Sequence, residues 1–471
     1  MRTTRKSRPE KLNEQAKHHE VHQHIDEVDC ADDGLIRGHR VSSRSSRHLV
    51  ELIPILCAGC LAPPDAAVVR LLDIDSEASS HVSQSGGRAM ADNENTRPTD
   101  EASKAFSTKG AYVTSGAEFD RDTNYIEDRI VADPDAVRAL PEPPKSKVGS
   151  LGYGLSEGAE AWPVEPGRYR LIAANACPWA NRTVIVRRLL GLEDAISLGR
   201  PGPVHDVRSW TFDLDPGHRD PVLGTERLQE NYFTRFPGYP RGITVPAIVD
   251  VSTGGVVTNN YPQITLDFST EWREFHREGA PNLLPSGELD EMWPILERVF
   301  TEVNNGVYRC GFAGSQDAYD AAYERLWSAL DWLENRLATR RFLMGGTITE
   351  ADVRLFTTLA RFDPVYHGHF KTNRNRLIDM EHLWGYAREL FQTPGFGDTT
   401  DFVQIKQHYY ITHIDINPTR IVPAGPDLAG WLEPHGREKL GGEPFGEGTP
   451  PGPVRESERI AAGHNPLVPA R

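Results

Sequence analysis

An apolar, strand-like segment that turns directly into an amphipathic helix limits what this chain can fold into more than any other feature: Arg170-Leu-Ile-Ala-Ala-Asn-Ala-Cys-Pro-Trp-Ala180. Pro178 suits the first helical position, where its missing N–H costs nothing. Cys177 then stands at the helix start, where free backbone N–H groups and the positive end of the helix dipole converge on its sulfur. Such a setting lowers a thiol's pKa toward the thiolate, the nucleophilic form. The plainer alternative is a buried cysteine serving as a small hydrophobe. A strand on one side and Pro in the first helical turn on the other are what thiol chemistry requires, so a reactive thiol is the reading adopted.

At 471 residues the chain has room for about two or three domains. Its 52 Lys and Arg against 67 Asp and Glu give a formal charge of -15, which argues against a nucleic-acid or anionic-membrane surface. Five cysteines (Cys30, Cys57, Cys60, Cys177, Cys310) are too few and too scattered for a disulfide scaffold and fit a reducing compartment. No apolar run is long enough to span a bilayer. The stretch from Leu49 to Leu56 is too short, and too far from the start, for a signal peptide. The expectation is a cytoplasmic protein with neither nucleic-acid nor membrane partners.

Residues 1–90 mix Arg, Ser and His clusters with a short apolar patch and no sustained period, which predicts disorder; a translation start at Met90 would remove them. Cys57-Ala-Gly-Cys60 has redox-motif spacing but no following helix to lower its pKa. His18, His19, His22 and His24 lack a Cys or carboxylate framework, so no metal is expected. Residues 91–150 read as a polar N-terminal arm.

From residue 151 the pattern becomes regular. A strand over 168–174, a helix over 178–190 stopped at Gly191, and an extended stretch over 203–210 are predicted. Two strands follow, Ile243 to Asp250 and Gly255 to Thr258, joined by a turn through Ser252-Thr253-Gly254. Strand, helix, strand, hairpin and helix is the order of a thioredoxin-like domain, assigned to residues 151–275. In that fold Val245-Pro246 is where a cis-proline sits beside the thiol. Residues 280–427 read as all-helical. Tyr319, Ala322, Tyr323, Leu326, Leu330, Leu333 and Leu337 recur at helical spacing, Thr349 to Asp352 reads as a capping box, and Leu383, Trp384, Tyr386, Leu390 and Phe391 mark a further helix. Residues 428–471, rich in Gly, Pro and Glu, are expected to be disordered.

Several motifs, in order over residues 148–427, carry a more specific likeness. They are Cys177-Pro-Trp-Ala180 with Arg182-Thr183; Ser209-Trp210-Thr211-Phe212; Thr244-Val245-Pro246; Asn304-Asn305-Gly306-Val307-Tyr308 with Gly311-Phe312-Ala313; Leu355 through Arg361 to Phe370; and His408-Tyr409-Tyr410 with Ile416 to Pro423. Together they resemble the glutathionyl-hydroquinone reductases, the omega-like xi class of the glutathione transferases. The resemblance implies a thioredoxin-like domain followed by an all-helical domain, a homodimer, and no bound cofactor. It implies that Cys177 attacks the sulfur of a thiol-substituted hydroquinone, with Tyr308, Tyr409 and Tyr410 as phenols facing the ring, and Trp210, Val245 and Pro246 on the thiol side. The family carries a Glu-Ser pair after the hairpin to receive the γ-glutamyl end of glutathione; Asn260 and Tyr261 stand there instead. That departure raises a second expectation: the cosubstrate is glutathione or another small thiol such as mycothiol, which has no γ-glutamyl group. Asn181 replaces a histidine common in the family. An omega-like thiol transferase or dehydroascorbate-type reductase, and a non-catalytic binding protein on the same fold, stay open as alternatives.

Overall fold

The computed structural model describes residues 118–206 and 208–470. The expectations for residues 1–90, including Cys57, Cys60 and the His18 to His24 cluster, lie outside the described residues.

The arm is not merely polar. It forms β1 (Arg129–Val131), wholly buried and paired in parallel with β2 (Ala161–Pro163). Arg129 ties it to the body through a buried ion pair with Asp267 at 2.7 Å. The main sheet contains β3 (Tyr169–Ile172), β4 (Ile196–Gly199), β5 (Ala247–Asp250) and β6 (Val256–Thr258) in the order β4-β3-β5-β6. β3 pairs in parallel with β4 and antiparallel with β5, and β5 continues antiparallel to β6. Helix α1 (Pro178–Leu190) makes the crossover between β3 and β4. It stops where Gly191 adopts a left-handed conformation at φ 74° and donates to the Arg187 and Arg188 carbonyls.

Short helix α2 (Leu228–Arg235) precedes the hairpin, and α3 (Tyr261–Thr270) follows it. The chain then becomes helical: α4 (Leu289–Arg298), α5 (Gly306–Gly311), α6 (Gln316–Leu337), α7 (Glu350–Leu359), α8 (Glu381–Gln392) and α9 (Phe402–Thr412). Every residue of α1 is buried, because α3 covers one flank and α7 the other. One core therefore runs through both halves. The capping box holds as expected: the Asp352 carboxylate accepts the Thr349 N–H at 2.8 Å. Among the described residues no helix is long and apolar enough to cross a membrane.

Two expectations are corrected. The strand after α1 lies at Ile196–Gly199, not at 203–210. Pro201 and Pro203 remove ladder donors there, and the Asp206 carboxylate turns the chain by accepting the Arg208 and Ser209 N–H groups. The second correction concerns the tail, which is packed over 428–470 rather than disordered. Trp431 is buried against Trp384, Phe391 and Phe402. Arg437 donates to carbonyls at the end of α6, among them Leu337 O at 3.0 Å. Glu458 pairs with the buried Arg187 at 2.8 Å. These anchors are single residues at irregular spacing, so no period announces them.

Candidate active site

Cys177 caps α1 in an extended conformation, φ -77° and ψ 122°, at the point where β3 gives way to the helix. Its Sγ donates to the Val245 carbonyl at 3.5 Å, and the Val245–Pro246 peptide is cis. The fold thus brings Cys177, Val245 and Pro246 together from sequence positions far apart. The thiol is 9% exposed. The Ala180 and Trp179 N–H groups and the Arg361 and Arg121 guanidinium groups pull its pKa down, but burial outweighs them and holds it above the ordinary value. The helix start alone predicts the opposite sign. Exclusion from water reverses it.

Arg361, at the end of α7, braces the loop that presents the thiol. Its Nε donates to Ala176 O at 2.9 Å and its Nη2 to Asn175 O at 3.0 Å. Its Nη1 reaches Asn181 Oδ1 at 3.3 Å, and Asn181 in turn donates to Thr399 Oγ1 at 3.1 Å. Asn181 is therefore a strut between the two halves. Arg361 lies within a run that carried the family likeness, yet nothing in its spacing marks it as a brace.

A wall of aromatic rings and cations stands beside the thiol. Trp179 packs on Tyr261 with ring centroids 4.8 Å apart and on Tyr308 at 6.2 Å. The Tyr308 hydroxyl meets that of Tyr409 at 2.5 Å, and Tyr409 meets Tyr366 at 2.9 Å, a buried chain of three phenols. Burial raises all three above the ordinary tyrosine value, so they are neutral hydrogen-bond donors at physiological pH. A negative charge on Cys177 would push Tyr308 and Tyr366 further up. Tyr366 was not anticipated; its place in the Leu355 to Phe370 run was the available signal.

The remaining expected residues divide. Tyr410 does not join the phenol chain: its hydroxyl donates to Pro364 O at 3.4 Å and its ring rests on His369. Consecutive residues of α9 diverge by about 100°, so Tyr409 and Tyr410 cannot share a face. Trp210 stacks on His408, the residue before Tyr409, at 5.0 Å. Asn260 precedes α3, and Tyr261 begins it with its ring buried. The Tyr261 and Tyr125 hydroxyls face each other and have no other protein partner. Trp179 Nε1 and Arg182 Nε and Nη1 are likewise buried without partners. Such unpaired groups are costly unless a ligand satisfies them. Among the described residues no three His, Cys, Asp or Glu are grouped to hold a metal.

A family model described as the glutathione S-transferase C-terminal domain matches residues 316–389. The glutathionyl-hydroquinone reductase YqjG of Escherichia coli (strain K12) is 39% identical over 289 residues, 60% of this chain and 86% of its own length. Its glutathione-bound structure superimposes with a TM-score of 0.57 at 35% identity, covering 66% of this chain and 96% of that one. A glutathione transferase from Gordonia bronchialis matches at 63% identity and a TM-score of 0.67, covering 74% of this chain and 100% of that one. A xi-class glutathione transferase from Natrialba magadii matches at 36% identity and a TM-score of 0.60, over 69% and 95%.

Proposed function

The chain belongs to the glutathionyl-hydroquinone reductases, the xi class of the glutathione transferase superfamily, and from that premise we propose that it reduces S-conjugated hydroquinones through a mixed disulfide on Cys177. The observation that carries this reading is the Tyr308–Tyr409–Tyr366 hydroxyl chain beside the thiol. A plain thiol transferase has no use for buried phenols, whereas cleaving an aryl carbon–sulfur bond requires a proton on the ring carbon.

In the proposed reaction the Cys177 thiolate attacks the conjugate's sulfur, the carbon–sulfur bond breaks, and the ring carbon ends with a proton. Free hydroquinone leaves, and the sulfur remains as a Cys177 mixed disulfide. A second small thiol, as thiolate, attacks that disulfide, releasing its own disulfide and regenerating Cys177. The ring gains two electrons and two thiols lose them. Val245 beside Pro246, together with Trp210, lines the thiol side.

The thiol itself is mycothiol-like rather than glutathione in this reading. At the start of α3 the Asn260 N–H goes to Thr258 Oγ1, the Tyr261 N–H to Asn259 O, and the Gln263 and Ile264 N–H groups to Asn260 O; Pro262 has none. No backbone donor there is left for a γ-glutamyl carboxylate, and no carboxylate side chain stands there for its ammonium. Neutral hydroxyls on Tyr125 and Tyr261 suit the hydroxyl groups of a sugar-linked cysteine.

Purified enzyme and its Cys177→Ser variant are to be given glutathionyl- and mycothiolyl-menadiol, each with its matching thiol, while free menadiol is followed. Turnover by the wild type and none by the variant is expected, with the mycothiol conjugate faster. Silence with both conjugates overturns the reductase reading. Faster turnover of the glutathione conjugate overturns the thiol assignment alone, and Asn260→Glu with Tyr261→Ser is expected to shift preference toward glutathione.

A further inference from the structure

The N-terminal arm enters the site through one side chain. Arg121 sets its guanidinium 4.7 Å from the Trp179 ring centroid and 4.5 Å from that of Tyr308. Its Nε donates to Asn305 Oδ1 at 2.8 Å, which fixes the plane of the fork. Nη2 is buried and has no partner. The positive charge lies close enough to Cys177 to pull on its thiol.

The arm around it is tied down at several points. Ile126 N–H donates to Asn259 Oδ1 at 2.8 Å, and Thr258 Oγ1 to Ile126 O at 2.7 Å. Asp122 pairs with Arg241 at 2.9 Å, and Phe119 packs on Tyr308 and Phe312. An arginine held this firmly, with one N–H pair aimed at nothing, is pre-organised for an anion.

Resting on the reductase reading above, we propose that Arg121 is a catalytic residue that holds the oxyanion developing on the hydroquinone when the carbon–sulfur bond breaks. The chemistry demands such a group. Protonation of the sulfur-bearing carbon by the tyrosine chain, which takes back in exchange the proton of the neighbouring ring oxygen, gives a ketone tautomer. Thiolate attack on sulfur then breaks the carbon–sulfur bond, and its electron pair passes into the ring and onto that same carbonyl oxygen. The product is a hydroquinone oxyanion one carbon from the bond that broke, which takes up a proton before release. Arg121, touching Tyr308 on one side and Trp179 on the other, lies where that oxygen forms, and a fixed cation there acts with no reorganisation.

The test uses the full chain as wild type, Arg121→Met and Arg121→Lys, with whichever small-thiol conjugate the wild type turns over. S-conjugated hydroquinones of graded phenol acidity, from menadiol to chlorinated rings, are compared with thiol–disulfide exchange on 2-hydroxyethyl disulfide, whose leaving group is a thiolate and forms no ring oxyanion. Arg121→Met is expected to lower kcat on the menadiol conjugate about 10²-fold, with the loss shrinking as the phenol becomes more acidic. Exchange reads what the lost charge does to the Cys177 thiolate alone and is expected to fall much less than conjugate turnover, and Arg121→Lys to recover part of the loss by keeping the charge without the fork. An equal loss in both reactions, a loss independent of phenol acidity, or no loss overturns the assignment. Absence of turnover of every conjugate by the wild type overturns the reductase reading itself, and this inference with it.

Discussion

At the scale of single residues, the proposed reaction separates groups that would do chemistry from groups that hold them in place. Tyr409 bridges Tyr308 and Tyr366, so Tyr409→Phe breaks the phenol chain at its middle while keeping the ring. Conjugate turnover is expected to fall about 10²-fold or more, with exchange on a simple disulfide little changed; equal losses would refute proton delivery. Arg361 holds the thiol loop through Ala176 and Asn175. Arg361→Lys removes the fork, and the pH at which iodoacetamide alkylates Cys177 at half its maximal rate is expected to rise; an unchanged midpoint contradicts the brace. Burial also leaves an acid signature. It pushes His369 down to about 4 and His408 to about 3, while the unfolded chain titrates near the ordinary value of about 6.5. Between those values the unfolded chain binds more protons, so stability rises with pH and is lost as pH falls from about 6.5 toward 4. The Tm is expected to drop over that window, less steeply in His369→Asn; identical acid limbs would remove His369 from the account.

Elements show which features are local. Helix α1 was readable because its start and stop are chemical: Pro178 at one end, Gly191 at the other. Gly191 has two reasons to be glycine, a φ of 74° and an Arg277 side chain whose Cβ would lie 2.5 Å from an added Cβ. Gly191→Ala is expected to cost at least about 1–2 kcal/mol, measured by urea unfolding, and a neutral result would mean that the α1 end rearranges freely. The capping box of α7 and the stripe of α6 were readable for the same reason, since each depends on residues three or four apart. The stretch at 203–210 was misread because prolines and the Asp206 turn override an otherwise extended composition. Tyr409 and Tyr410 show the limit of motif reasoning within an element: adjacent in sequence, they leave α9 toward different surroundings.

At the scale of the whole molecule, the arm and the tail close over one core. Trp431, in a segment without period, fills a space among Trp384, Phe391 and Phe402. Trp431→Ala is expected to cost about 3–5 kcal/mol by urea unfolding, and a change below about 1 kcal/mol would show the tail to be a passenger. By itself the sequence determined what short-range rules decide: the thioredoxin-like order of strands and helices, the cysteine at a helix start, the proline beside it, and the helical second half. Tertiary structure alone decided the sign of the Cys177 shift, the choice of Tyr366 and Tyr409 over Tyr410, and the arrival of Arg121 and Arg361 from opposite ends of the fold. The reason is range: propensity, capping and periodicity act over a few residues, whereas burial and the meeting of distant side chains are set by how whole elements pack.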